Sequence, residues 1–293
     1  MKKVLLILAA LAAVVLVGGI SYVLLFMEDE APNAVLVDGA GEQASDEEPE
    51  ILTLEADSST GADILEALDY ETIQNPDTVA WLVVPGTRIN NSVVQSFDNL
   101  VYLRANERRE YSVYGCYFAD AECRVSSREF LNHNTIVYGH SDLQDNPEGP
   151  RFSELYKFTD PQFARSTPVI EFSTLYDFMN WEVFAVFYTT VDFDYIAAEP
   201  EGGIKALADE AKKQSIYDYG VQVGEDDHIL TLSTCSIKEG DDGTHRFVVM
   251  ARLLDEDAEV PATVDVKAHT PGEELPEEPV PETENPEAET TEA

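Results

Sequence analysis

The sequence predicts a mostly β chain: a closed eight-stranded barrel with a helix in front of it and a second helix inserted before its last two strands. Two observations carry this. Between Trp81 and Leu254 there are eight short runs rich in Val, Ile, Phe, Tyr and Trp, separated by polar or Gly/Pro-bearing turns. Beyond the first 26 residues, helical periodicity is confined to two stretches, 62–73 and 203–217. Many short strands with few long helices favour a barrel closed on itself.

The elements follow in order. Met1-Lys2-Lys3 leads into an uncharged run, Val4 to Phe26. As a helix this run would extend about 34 Å, against a hydrocarbon core of about 30 Å. Two lysines precede it and Glu28-Asp29-Glu30 follow. That asymmetry places the N-terminus inside and everything after residue 26 outside the cell membrane, as a single-pass signal anchor. A cleaved signal peptide is the competing reading, but the run is long for one and no small-x-small site follows it. Residues 27–60 are acidic and poor in aromatics, and read as a flexible stalk. The next stretch carries Ile64, Leu65, Leu68 and Ile73 at helical spacing, with Asp63 near its start and Pro76 beyond its end.

The strand-like runs are 81–85, 92–95, 115–118, 135–138, 168–172, 181–188, 229–235 and 246–254. The second helix, 203–217, carries Ile204, Leu207, Ala208, Ala211 and Ile216. After Leu254 the sequence turns to Asp, Glu, Pro and Thr. Residues 255–293 therefore read as a disordered tail, and 61–254 as the folded domain.

Charge narrows the partners. The formal net charge is -39, with 57 acidic against 18 basic residues. Residues 27–80 hold no Lys or Arg, and residues 255–293 hold Lys267 alone. Such a surface repels a phosphate backbone, so no nucleic-acid partner is expected. No Cys/His cluster has zinc-ligand spacing, and neither a metal nor another cofactor is expected.

The chemistry concentrates in 228–254. The run HILTLSTC ends at Cys235, a polar loop with Gly240 and Gly243 follows, and RFVVMARLL returns. Paired as an antiparallel hairpin, these runs place Cys235 beside Arg246. A guanidinium there can stabilise negative charge on a sulfur or on an oxyanion. A thiol nucleophile also needs a proton shuttle. His140, which ends the run Asn134-Thr-Ile-Val-Tyr-Gly-His, is the candidate among five histidines. His133, His228, His245 and His269 compete; His245 adjoins Arg246 in a loop, and His269 lies in the tail. An odd cysteine count leaves at least one free thiol. Cys116 and Cys123 can close a small-loop disulfide or stay free, one on a strand and one in a loop.

Thr231-Leu-Ser-Thr-Cys235 resembles the TLxTC signature of sortases. Arg246-Phe-Val-Val249 resembles their arginine strand, and Tyr138-Gly-His140 their histidine segment. The resemblance spans roughly Trp81 to Leu254, with all three motifs in the family's order. It implies a cysteine transpeptidase of Gram-positive bacteria on a sortase-type barrel. Cys235 would be the nucleophile, His140 the acid/base and Arg246 the electrophilic stabiliser. The helical insertion, the N-terminal helix, Val93-Val-Gln95 with Asp98-Asn99, and Tyr102-Leu103 resemble class B. That class implies substrate contacts at Asn99, Leu103, Tyr195, Ile196 and Ser233, and an oxyanion-hole N–H from Ser236. Asn91-Ser92 stand where the family's second strand carries a bulky residue.

The implied partners are surface proteins with a C-terminal sorting signal, an amine from peptidoglycan precursor or from a pilin, and the plasma membrane through residues 4–26. Wall anchoring is the leading role, and pilus polymerisation the alternative. Two readings from other classes compete. A non-catalytic wall-binding module would not need Cys235, His140 and Arg246 together. In a papain-like hydrolase the cysteine opens a helix, whereas Cys235 closes a strand.

Overall fold

The computed structural model of the protein describes residues 61–273 apart from Leu143, Glu239 and Asp241. The signal anchor and the acidic stalk read from residues 1–60 lie outside the described residues, as does the tail from 274 onward. Among the described residues no helix is long and apolar enough to cross a membrane.

Helix α1 (Gly61–Gln74) buries Ile64, Ala67 and Leu68 against Trp81 and Val83. These positions recur at three and four residues and so share one face. Leu65 and Ile73, read as part of that face, stay exposed. Glu71, fully buried, takes a place on it through a bidentate ion pair with Arg108.

Eight strands close the barrel: β1 (Thr78–Val83), β2 (Asn90–Gln95), β3 (Phe118–Ala119), β4 (Asn134–Tyr138), β5 (Val169–Thr174), β6 (Asn180–Thr190), β8 (Ile229–Cys235) and β9 (His245–Leu253). Their order around the barrel is β1-β2-β3-β4-β8-β9-β6-β5. A further short strand, β7 (Tyr217–Asp218), lies outside it. The core fills from β-branched and aromatic side chains such as Val93, Ile170, Phe172, Trp181 and Phe187, all at most 1% exposed. Each such side chain contributes about 1.5–3 kcal/mol by leaving water.

The Asn91-Ser92 departure falls on β2, where Ser92 stands opposite Trp81 and the Asn90 side chain accepts the Trp81 indole N–H at 2.7 Å. A small residue thus faces the largest one. Strand β3 is shorter than the run 115–118 suggested. Gly115 adopts φ 55° and packs so tightly that a Cβ would meet the Tyr102 carbonyl at 2.2 Å. The Cys116 N–H also turns to that carbonyl and not to the ladder.

Helix α2 (Pro161–Ser166), capped by Asp160 accepting from Gln162 N–H, follows a 3₁₀ segment, Arg151–Thr159. That segment drives Phe152, Leu155, Tyr156 and Phe158 into the core. Helix α3 (Ile204–Gln214) is the predicted insertion before the cysteine strand. Its face of Ile204, Leu207, Ala208 and Ala211 is buried in the same core as β6.

The C-terminal reading needs correction. Residues 255–273 are not a disordered tail: β10 (Lys267–Ala268) pairs antiparallel with β7. Val266 is 2% exposed. Main-chain bonds run from Val264 N–H to the Arg165 carbonyl and from His269 N–H to the Ile216 carbonyl, both at 3.0 Å. The docking rests largely on main-chain bonds, with Val266 buried, Val264 packed on the core and the Arg165 and His269 side chains bonded to carbonyls across it, so it leaves no apolar periodicity in the sequence. The folded domain extends past Leu254 to at least residue 273.

Candidate active site

The topology assembles the site before any side chain is considered. Strands β4 and β8 run parallel, with Tyr138 beside Ser233. Their C-terminal ends therefore reach the same rim, where β4 runs on into Gly139-His140 and β8 ends at Cys235. Strand β9 returns antiparallel and sets Arg246 opposite Cys235. In β8 every residue is buried except Cys235, which is exposed. Gly139 lets the chain pass under the 3₁₀ segment: a Cβ there would meet Phe152 at 2.8 Å. The Gly139 carbonyl accepts the Thr234 hydroxyl at 2.7 Å, and the His140 carbonyl accepts the Phe152 N–H at 2.8 Å.

These ends open into a cleft of about 210 Å³. His140, Cys235 and Arg246 line it together with Asn99, Leu103 and Ser233, and Phe118 and Tyr138 complete its wall. The His140 Nε2 lies 2.9 Å from the Leu103 carbonyl. A carbonyl only accepts, so Nε2 carries the proton and Nδ1 keeps its lone pair. Burial pushes the His140 imidazole below its ordinary value. The Leu103 carbonyl opposes this, and the nearby Arg104 and Arg151 charges reinforce it. The Arg246 guanidinium donates to the carbonyls of Gly243 and His245, each at 2.8 Å. Among the described residues its hydrogen-bond partners are thus main-chain carbonyls, and Asp242 instead caps Thr244.

The remaining candidates divide. Asn99 is held on both sides of its amide, donating to Asp120 and accepting the Ala121 N–H, both at 2.8 Å. Tyr195 is buried behind the cleft, its hydroxyl 2.8 Å from Ser233 Oγ. Ile196 is exposed and Ser236 buried, and neither lines the cleft. The Ser236 N–H donates to the His245 carbonyl at 3.1 Å. The other histidines sit elsewhere. His133 and His228 precede β4 and β8, hence at the opposite rim, where their rings stack 5.4 Å apart. His245 lies 3.8 Å from Asp242, and His269 contacts the Ser215 carbonyl in the docked C-terminal segment.

Cys116 and Cys123 are free and buried. Burial pushes both thiols up, that of Cys123 to about 12. Sequence reasoning missed Asp120, which accepts from both Asn99 and the Tyr138 hydroxyl. It also missed Ser141 and Tyr156, whose hydroxyls approach the Cys235 carbonyl. No local motif marks these residues, because each is brought in by the fold. Among the described residues no cluster of three or more His, Cys, Asp or Glu is placed to hold a metal.

Residues 82–254 match the sortase domain family. The chain belongs to the sortase family. It is 36% identical to sortase B of Listeria monocytogenes over 182 residues, covering 61% of this chain and 71% of that one. It is 32% identical to sortase B of Staphylococcus aureus over 189 residues, 63% of this chain and 74% of that one. Among solved structures it resembles the Staphylococcus aureus sortase B–substrate complex with a TM-score of 0.59 and 30% identity, over 66% of this chain and 87% of that chain. The closed barrel with its N-terminal helix matches the class B architecture, and the chain is a sortase transpeptidase that uses cysteine.

Proposed function

We propose that this sortase is anchored in the plasma membrane by residues 4–26, faces outward, and joins surface proteins to an amine of cell-wall peptidoglycan. The Cys235 sulfur attacks the carbonyl carbon of a threonine in the C-terminal sorting signal. His140 Nδ1 takes up the thiol proton as the sulfur attacks; as the C–N bond breaks it delivers that proton to the leaving amine, and a thioacyl enzyme remains. The acceptor amine attacks that thioester and gives a proton to His140, the C–S bond breaks, and His140 passes that proton to the sulfur, restoring the thiol. Arg246 exchanges its loop carbonyls for the substrate carbonyl oxygen as negative charge develops there. Asn99, Leu103 and Ser233 hold the peptide, and Tyr195 acts through Ser233. Ile196 meets the peptide outside the cleft. The Ser236 N–H reaches an oxyanion only if it leaves the His245 carbonyl.

One observation carries this reading: the parallel β4–β8 pair and the returning β9 bring His140, the exposed Cys235 and Arg246 to one cleft. The test is intact mass spectrometry of the protein after incubation with a sorting-signal peptide library. A thioacyl adduct on Cys235 is expected, absent from Cys235→Ala, whose melting temperature should match the wild type. Peptide transfer by the folded Cys235→Ala variant would remove the cysteine mechanism. Adding glycine-terminated or lysine-bearing acceptors to the loaded enzyme separates wall anchoring from pilin joining.

A further inference from the structure

The turn that follows Cys235 is held by a carboxylate from a different segment. Asp145 lies five residues after His140 and adopts φ 51°, a left-handed conformation uncommon for a residue with a side chain. Its carboxylate accepts the Ser236 hydroxyl at 2.7 Å, the Ile237 N–H at 3.1 Å and the Lys238 N–H at 3.0 Å. Three consecutive residues after Cys235 thus close on one side chain. The Tyr156 hydroxyl lies 2.8 Å from the same carboxylate and 2.5 Å from the Cys235 carbonyl. That carbonyl also accepts the hydroxyl of Ser141, the residue next to His140, at 2.7 Å. Tyr156 has one proton for two acceptors, so carboxylate and carbonyl share it.

Asp142 shows what an ordinary loop carboxylate does here. It accepts the Gln144 and Asn146 N–H groups, both within its own turn. Asp145 instead spans from the His140 segment to the Cys235 segment. Charge matters in that span, because a carboxylate receiving main-chain N–H groups makes bonds about twice as strong as neutral ones.

We propose that Asp145 is a positioning residue for acyl transfer: its carboxylate fixes the turn Ser236–Lys238 and, with the Ser141 and Tyr156 hydroxyls on the Cys235 carbonyl, holds the thiol in register with His140. The proposal rests on Cys235 and His140 acting as described above. Asp145→Asn keeps one carbonyl acceptor but loses the charge and turns an amide N–H₂ toward donors. A nucleophile displaced on the order of 1 Å loses up to about 10²-fold in rate. Binding of the peptide does not depend on that register, so the loss falls on kcat.

The experiment compares the full-length wild type with Asp145→Asn, Asp142→Asn and Cys235→Ala, using a library-selected sorting-signal peptide, an amine acceptor and thermal melts. Asp145→Asn should lower kcat roughly tenfold to a hundredfold with KM unchanged, and Asp142→Asn should keep the wild-type kcat. Three results overturn the proposal: wild-type kcat in folded Asp145→Asn, a raised KM with kcat intact, or equal losses in both aspartate variants. Should Asp145→Asn fail to fold, Tyr156→Phe carries the test. It should lower kcat severalfold at constant KM, and wild-type kcat there overturns the proposal too. Turnover surviving in Cys235→Ala would instead remove the mechanism on which the proposal rests, whatever Asp145→Asn shows.

Discussion

The two ends of the β4–β8 pair carry similar residues and different chemistry. At one rim His140 follows β4, Cys235 ends β8, and both line an open cleft with Arg246. At the other, His133 and His228 precede the same strands and stack on each other. There His133 is bonded to Glu199 at 2.7 Å and His228 contacts the Asn132 carbonyl at 2.9 Å. Two histidines on adjacent parallel strands are thus insufficient for a site. What distinguishes the cleft rim among the described residues is an exposed thiol, an imidazole depressed by burial, and a guanidinium bonded to main-chain carbonyls.

The strongest way to break this comparison is to exchange the histidines' fates. His140→Ala should lower transpeptidation by about 10²–10⁴-fold, the range expected for loss of an acid/base group. His133→Ala and His228→Ala should leave turnover near wild type. Steady-state assays on the three variants check this, and a comparable loss at His133 would show that the far rim communicates with the chemistry.

Arg246 is the next test. Arg246→Lys keeps the charge but loses the planar fork. If the guanidinium stabilises a developing oxyanion, turnover should fall about 10²–10³-fold, with a lesser effect on KM. Arg252, further along β9 and paired with Glu182 at 2.9 Å, supplies the contrast. Arg252→Lys should be nearly silent, since partly exposed pairs contribute about 0–1 kcal/mol.

What the sequence made legible follows from the range of the forces involved. Strand β8 was readable because HILTLSTC is an apolar, β-branched run that stops at Cys235, before a polar loop with Gly240 and Gly243. The register of Cys235 with Arg246 was readable because a hairpin is local. The parallel β4–β8 pairing joins residues nearly 100 positions apart, and only the motif resemblance pointed to it. Asp120 and Asp145 carry no signature because their partners come from other segments. Residues 255–273 misled for the opposite reason: an acidic, Pro-bearing composition suits a disordered tail, yet pairing with β7, main-chain bonds to Arg165, Ile216 and Lys213, and the buried Val266 dock it.

That docking separates stability from catalysis. Truncation after Leu254 removes a valine whose burial contributes about 1.5–3 kcal/mol, and with it the β10 pairing. At about 2–4 °C per kcal/mol for a domain of this size, the melting temperature should fall by about 3–12 °C. Among the described residues of the segment, none lines the cleft. Turnover at a temperature where both proteins are folded should therefore be unchanged. An unaltered melt would show that the segment is held too weakly to matter.

The smallest expected effect is a difference in how the two rims respond to acid. Burial lowers the His140 imidazole below its ordinary value of 6.5. Between 6.5 and that lower value the unfolded chain binds a proton more readily than the folded one. The stability associated with neutral His140 is therefore complete above 6.5 and declines as pH falls through the folded value. At the far rim, burial raises the Glu199 carboxyl, but hydrogen bonds from His133 and Asn132 outweigh it and leave the group below its ordinary 4.5. Its contribution is complete above 4.5 and is lost only at more acidic pH. Melts of the wild type, His140→Gln and Glu199→Gln across this range, differenced pairwise, cancel the carboxylates the three proteins share. The His140→Gln difference should begin to change just below pH 6.5, and the Glu199→Gln difference only below about pH 4.5. If the His140→Gln difference stayed flat between pH 7 and 5, the imidazole would be as hydrated as in the unfolded chain. Burial at the cleft rim would then not be what sets the two rims apart.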